Sequence, residues 1–262
     1  RLHYNFKGIF SMTYREDTDL AFLGELNSDD LSDLVHCLIY DNGGDPRWTE
    51  ELTDSDEYQA HMPDHRQYWK QIAAEVQTFG ANTFATLLRG GEGVRYKEVL
   101  MNVCDKLKVN YNRTSSTQTI ETNLLMKILS DALDNMSSAE LRTLAESVGI
   151  KNTSGVTPEV MLGIFQAVFR AGGFKSYQLT LIIVNAVLKA LIGRGLSLAG
   201  NAALTRTMAA LTGPIGWAIT GLWTAVDIAG AAYRVTIPAV IHVAVLRQKH
   251  LYSDLGEQVE FS

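Results

Sequence analysis

The stretch LTGPIGWAITGLWTAVDIAG, residues 211–230, decides what kind of fold this chain adopts. It overlaps the longest run without a charge, residues 207–226, which meets the ~20-residue length of a membrane-spanning helix. Asp227 follows at once, and an aspartate inside a span costs about 2.5–3.5 kcal/mol. Most of the run is Ala, Gly or Thr, so its hydropathy is modest. We therefore expect a helical hairpin buried in a soluble domain, or one that is buried in solution and can enter a membrane, rather than a constitutive anchor.

Gly213-Pro214 lies in the middle of this run. Proline lacks a backbone N–H and disfavours a helix interior, so the pair predicts one helix ending near Leu211 and another beginning at Pro214. Small residues on both sides allow close helix packing, which suits a tight core, a membrane helix pair or a homo-oligomer. The residues predicted to contact a membrane or a partner are Leu211, Pro214, Ile215, Trp217, Ile219, Leu222 and Trp223.

Composition and charge narrow the class of protein. The chain has 262 residues, of which 46% are apolar and 20% charged, and this fits a folded domain. Residues 1–160 carry 25 acidic and 15 basic side chains, whereas residues 161–262 carry 4 and 8, thinly spread among apolar residues. Without a dense basic patch, a nucleic-acid partner is not expected. Cys37 and Cys104 stand in helical patterns and predict buried free thiols in a reducing, cytoplasmic compartment.

Helix signals run through the acidic part. Asn27 predicts an N-cap, Ser137 with Glu140 a capping box, and Thr157-Pro158 a capped helix start with proline in the first turn. Leu20, Leu23 and Leu26 mark the apolar face of a first helix. The apolar stripe of the next helix is Leu31, Leu34, Val35 and Leu38.

The predicted fold class is all-α: a multi-helix bundle with an apolar, Gly/Ala-rich C-terminal helical hairpin. A polar stretch at 110–119 is the best candidate boundary. The predicted segments are 1–11, an extension ahead of a start at Met12; 12–110, the acidic N-terminal helical part; 111–156, linking helices; 157–250, the apolar C-terminal part; and 251–262, a polar tail.

The chain shows no recognisable catalytic constellation. His61 and His65 have the i, i+4 spacing of helical metal ligands, but Pro63 lies between them and no third ligand is evident. The glycines at 90, 91 and 93 follow no strand and lack a Walker pattern, so they predict a turn between helices rather than a phosphate cradle. Glu75 and Glu98 are expected to face water. We predict no metal and no cofactor.

Arg234 stands among apolar residues and needs a partner if it is buried. Asp227 precedes it by two helical turns, so the two predict a buried polar pair. The alternative is a polar switch that opens on contact with a membrane or partner. Pro238 is expected to kink the helix that contains Arg234.

Several runs of residues resemble the bacterial YaaW family of uncharacterised proteins. They are GPIGWAITG with AYRVTIPAVIHVAVLR near the C-terminus, the central run from HRQYWKQIAAEV to NVCDKLKV, and DTDLAFLGELNSDDLSDLV. The resemblance covers roughly 12–110 and 200–250. The family is loosely grouped with ubiquinol–cytochrome c chaperones, which implies a helical fold and a membrane-related binding role. It supplies no catalytic residue.

Three hypotheses of function remain open. The first is a non-enzymatic protein, cytoplasmic and peripheral at the inner membrane, whose apolar C-terminal helices meet lipid and insert or permeabilise. The second is a chaperone or assembly factor that binds a membrane-protein client. The third is an enzyme whose site would be assembled from polar residues in the stretches matching the family: His65, Arg66, Arg89, Arg95 and Tyr96.

Overall fold

A computed structural model describes residues 13–41, 43–47, 51–80, 93–197, 205–225 and 233–260, apart from the side chains at 80, 205–209, 222–225 and 253–260. The described part is helical, and its β-structure is one isolated antiparallel bridge between Tyr40 and Pro46. The predicted all-α fold class is confirmed. Contacts divide the chain into two compact units, residues 1–99 and 100–262, at a point inside a helix and ahead of the predicted boundary at 110–119.

The first unit is built from short helices around a small leucine-rich core. Leu31, Leu34 and Leu38 are fully buried on α1, as the stripe predicts. Leu20, Leu23 and Leu26 are buried too, but around a 3-10 helix, whose three-residue turn suits their spacing. The elements are a 3-10 helix at Ala21–Glu25, α1 at Ser28–Ile39, a 3-10 helix at Leu52–Asp54, α2 at Asp56–His61, a 3-10 helix at His65–Tyr68 and α3 at Trp69–Gly80.

Helix α4, Tyr96–Lys106, crosses the division between the units, and six further helices follow it in the described part of the chain. They are α5 at Thr117–Asp134, α6 at Ser138–Ser147, α7 at Pro158–Ala171, α8 at Gly173–Ile192, α9 at Thr205–Ala225 and α10 at Tyr233–Glu260. Helix α8 packs against α5, α7, α9 and α10. Helix α5 likewise contacts α7, α8, α9 and α10, so α5 and α8 form the centre of the second unit.

The predicted helix starts are confirmed in atomic detail. The Asn27 side chain accepts a hydrogen bond from the backbone N–H of Asp30. Ser137 and Glu140 form both bonds of a capping box. Thr157 caps α7, with Pro158 in its first turn. Each cap satisfies an amide that a helix end leaves without an intrahelical partner.

The prediction that Gly213-Pro214 divides the apolar run is wrong. Helix α9 is continuous from Thr205 to Ala225 and contains Pro214. Proline removes one hydrogen bond to the preceding turn, but packing of the apolar face against neighbouring helices compensates for such a loss. The apolar run therefore forms one long helix, and the C-terminal helical hairpin consists of α8 and α9.

Candidate functional site

Helix α9 has an inner face and an outer face, and the residues predicted to contact a partner are divided between them. Leu211, Ile215 and Ile219 recur every fourth residue and are fully buried, which places them in the core. Pro214 is partly exposed. Leu222 and Trp223 have side chains outside the described residues.

The outer face of α9 is apolar and carries small side chains. Trp217 is 74% exposed, the largest exposed fraction among the large apolar residues described. Gly213, Thr220 and Gly221 lie on the same face and are also exposed. The hydroxyl of Thr220 donates to the carbonyl of Gly216, which keeps it close to the helix. Among its described residues, the face thus presents the protruding indole of Trp217 between residues with little or no side chain.

Helix α8, behind α9, is enclosed along its middle. Every residue from Leu179 to Leu188 is buried, so this stretch has no solvent-facing side. Among the described residues, α8 is also the helix long and apolar enough to cross a membrane, with mean hydropathy 1.3 and 61% of the window buried. A helix that is apolar all round is enclosed either by protein or by lipid, and in this structure α5, α7, α9 and α10 enclose it.

One buried ion pair joins α5 to α10. Nε of Arg247 donates to Oε2 of Glu121 at 2.8 Å, and both side chains are largely buried. Separation of such a pair would leave a buried charge without compensation. The predicted buried pair is not found in this form: Arg234 is exposed, and Asp227 lies outside the described residues.

The first unit contains a buried polar cluster that sequence reasoning missed. The carboxylate of Asp17 accepts from the backbone N–H of Tyr96 at 2.6 Å and from Nε2 of Gln77 at 3.3 Å. Gln77 also pairs with the main chain of Arg15, accepting from its N–H at 3.0 Å and donating to its carbonyl at 2.9 Å. The side chains of Asp17 and Gln77 are thus hydrogen-bonded to backbone groups, so the cluster has a structural role.

Glu75 corrects another expectation. It is fully buried rather than facing water, and its carboxylate accepts from the backbone N–H of Glu51 at 3.2 Å. Helical periodicity does not reveal such a partner, because it comes from a segment 24 residues away. Glu98 is exposed, as expected.

The polar residues assigned to an enzyme site do not form an evident catalytic group. Nδ1 of His65 lies 2.5 Å from the hydroxyl of Tyr68. Burial lowers the pKa of His65 and raises the pKa of Tyr68, so both side chains are neutral at pH 7 and share this hydrogen bond. Tyr96 is buried, while Arg66 and Arg95 are exposed; Arg89 lies outside the described residues.

The remaining sequence candidates have structural explanations. His61 ends α2 and His65 begins the next 3-10 helix, and the described residues hold no group of three or more potential metal ligands. Gly93 packs so closely on Gln77 that a Cβ there would lie 2.5 Å from the Gln77 Cβ. Gly90 and Gly91 lie outside the described residues.

The two cysteines are buried free thiols, as predicted. Burial raises the pKa of Cys37 and that of Cys104 to about 12, so both are protonated at neutral pH. A protonated buried thiol is a poor nucleophile and metal ligand. Neither residue contributes reactive chemistry.

Comparison with known proteins confirms the resemblance drawn from the sequence. Residues 64–241 match the family model described as ubiquinol–cytochrome C chaperone, and residues 14–48 match a domain of unknown function, DUF3944. A UPF0174 protein of Helicobacter pylori strain J99 is 52% identical over 238 residues, 91% of this chain and 94% of the relative. The UPF0174 protein YaaW of Escherichia coli K12 is 30% identical over 244 residues, 91% of this chain and 97% of the relative. No solved structure matches the chain.

Proposed function

Because the chain belongs to the family of UPF0174 proteins and its residues 64–241 match the ubiquinol–cytochrome C chaperone model, we propose that it is a non-enzymatic, chaperone-like assembly factor. Its client is an apolar helix of a membrane protein, held at the outer face of α9. The observation that carries this proposal is Trp217, 74% exposed on a face of small residues. We place this activity in the cytoplasm, beside the inner membrane.

The chemistry of this face suits a helix as its client. Glycine and threonine let a second helix approach closely, and membrane helices associate through surfaces of this kind. An exposed tryptophan offers a large contact area and is the residue type most often found to dominate a binding interface. The outer face of α9 carries no charge among its described residues, so a client's apolar side chains meet no unpaired charge there.

A second candidate function is membrane insertion, which α8 favours by its length and hydropathy. Insertion requires the second unit to open, because the apolar residues of α8 and the inner face of α9 are buried against other helices. The folded bundle therefore supports client binding more directly than pore formation. If the protein formed pores, its addition to dye-loaded liposomes would release the dye.

The test is an aggregation assay with a transmembrane-helix peptide diluted from detergent. We expect the protein to suppress light scattering, Trp217→Ser to lose this protection, and dye-loaded liposomes to stay intact. Val160→Ser is the matched control, since Val160 is a second exposed apolar residue, 47% exposed, in the same unit. Equal protection by wild type and Trp217→Ser, or equal loss in the control, would contradict the proposal, and dye release would favour insertion.

A further inference from the structure

Aromatic side chains pack together where α7 turns into α8, and two basic residues lie close to them in the sequence. Phe174, 48% exposed, lies with its ring centroid 5.2 Å from that of Tyr252. Tyr177 stacks on Tyr252 at 5.8 Å with an interplanar angle of 6°. Arg170 and Lys175 flank Phe174 and are exposed. We call these five residues the aromatic–basic corner.

The corner has a defined geometry. Gly172 and Gly173 have φ values of 67° and 66°, a region that other residues rarely adopt, and they turn the chain sharply so that α8 begins immediately after α7. The hydroxyl of Ser176 donates to Gln248 at 3.3 Å, which joins α8 to α10 beside the ring stack. The exposed rings are therefore presented by packed helices, not by a loop.

The sequence that leads up to the corner is poor in acidic residues. From residue 160 to residue 252 the sequence contains a single acid, Asp227. Glu121 lies near this end of α10, and it is neutralised by Arg247. Asp254, Glu257 and Glu260 follow Tyr252 on α10, with their side chains outside the described residues. Arg170 and Lys175 are thus exposed basic residues in a stretch of sequence that, up to Tyr252, contains no acid other than Asp227.

We propose that the aromatic–basic corner docks the folded protein on the surface of a bilayer that contains anionic lipids. The ring of Tyr252 lies at headgroup level, where amphipathic aromatic side chains concentrate. The apolar ring of Phe174 enters the boundary between the headgroups and the acyl chains. Arg170 and Lys175 meet the headgroup phosphates, and the negative surface potential of the leaflet attracts them. The bundle stays closed, so α8 does not enter the hydrocarbon.

This docking does not depend on the proposed client site. Gly216, beside Trp217, lies close to Ala190, whose Cβ would be 3.9 Å from a Cβ at position 216. Ala190 is separated from Phe174 by about 24 Å along α8, at ~1.5 Å per residue. The two surfaces therefore lie at opposite ends of α8, and a variant of one leaves the other intact.

The test is flotation of the full-length protein with vesicles of phosphatidylcholine alone and of phosphatidylcholine mixed with phosphatidylglycerol. We expect binding to the mixed vesicles only, weakened by salt because the corner is exposed. Lys175→Gln should weaken binding about fivefold, the effect of one basic residue near an anionic surface. Lys189→Gln makes the same change at the exposed far end of α8 and should leave binding as it is.

Three further variants test the contribution of the Phe174 ring. Phe174→Ser should also weaken binding, whereas Val160→Ser and Trp217→Ser should not. Equal binding to neutral vesicles, equal loss in Lys189→Gln and Lys175→Gln, or unchanged binding of Phe174→Ser would each overturn the proposal. The substituted side chains are all exposed, and thermal unfolding will show that each variant retains the wild-type fold.

Discussion

Helices α8 and α9 are nearly equal in length, 20 and 21 residues, and both are poor in charge, yet they occupy different environments. Helix α8 is surrounded by protein along Leu179–Leu188. Helix α9 turns Leu211, Ile215 and Ile219 inward and leaves Trp217 and its small neighbours in solvent. Lack of charge therefore does not distinguish a helix enclosed in the core from a helix with an exposed face. The size of the side chains on each face distinguishes the two.

The largest effect should come from a charge placed on each helix in turn. Ile183→Asp puts an unpaired carboxylate into the enclosed middle of α8 and should cost more than about 4 kcal/mol. Thr220→Asp on the outer face of α9 should change stability by no more than ~0.5 kcal/mol. Urea unfolding of both variants measures the contrast. Similar costs at the two positions would mean that α9 has no free face.

The ion pair of Glu121 and Arg247 tests what a charged side chain requires when it is buried among the helices around α8. Glu121→Ala removes the buried carboxylate that accepts from Nε of Arg247 and should cost about 3–5 kcal/mol. Replacement of both residues, as Glu121→Leu with Arg247→Met, should restore most of that stability. Thermal and urea unfolding of the wild type and of these two variants compare the cost of a broken pair with that of an apolar replacement of both residues. A single variant as stable as wild type would show that the pair makes no net contribution.

Pro214 tests the continuity of α9. Because α9 runs through this residue, Pro214→Ala should allow the missing hydrogen bond to form and raise stability by up to ~3 kcal/mol. If the helix were divided at this point, alanine would bring no gain. Circular dichroism, together with unfolding midpoints, distinguishes the two results.

The smallest effect is expected at Gly213. A Cβ at this position would meet no heavy atom within 4 Å outside its own chain neighbours and helix backbone, and the residue is exposed within a helix. Gly213→Ala should therefore stabilise the protein by at most about 0.5–1 kcal/mol, because the new Cβ also precedes the ring of Pro214, which disfavours a helical conformation there. If the outer face of α9 holds a client helix, Gly213→Ala should protect a transmembrane peptide from aggregation less well than wild type. A more stable variant with full protection would place the client elsewhere.

Local signals in the sequence predict much of the framework. The caps at Asn27, Ser137 and Thr157 are predictable because each bond forms within three residues of the cap. The leucine stripe of α1 is predictable because one repeat fixes which face is buried. The resemblance to the YaaW proteins rests on long runs of residues, and the UPF0174 relatives confirm it.

The sequence is less informative where a partner lies far along the chain. Glu121 and Arg247 are 126 residues apart, so no local pattern predicts their pairing. The expectation that Glu75 faces water fails because its partner, the Glu51 amide, is not visible in a helical repeat. A break at Pro214 follows from propensity alone, which omits the packing of the buried face of α9. The set predicted to contact a membrane or partner fails for a similar reason: Trp217 is exposed but Leu211 is buried, and the sequence alone does not distinguish them.

The pairing of Gln77 with Arg15 uses only the main chain at position 15. The glutamine amide therefore cannot distinguish one side chain from another there. Every residue except proline supplies a backbone N–H that can donate a hydrogen bond to Oε1 of Gln77. The N-terminal segment is thus held in register by a contact that tolerates almost any substitution at position 15, while it fixes the identity of the residue at position 77.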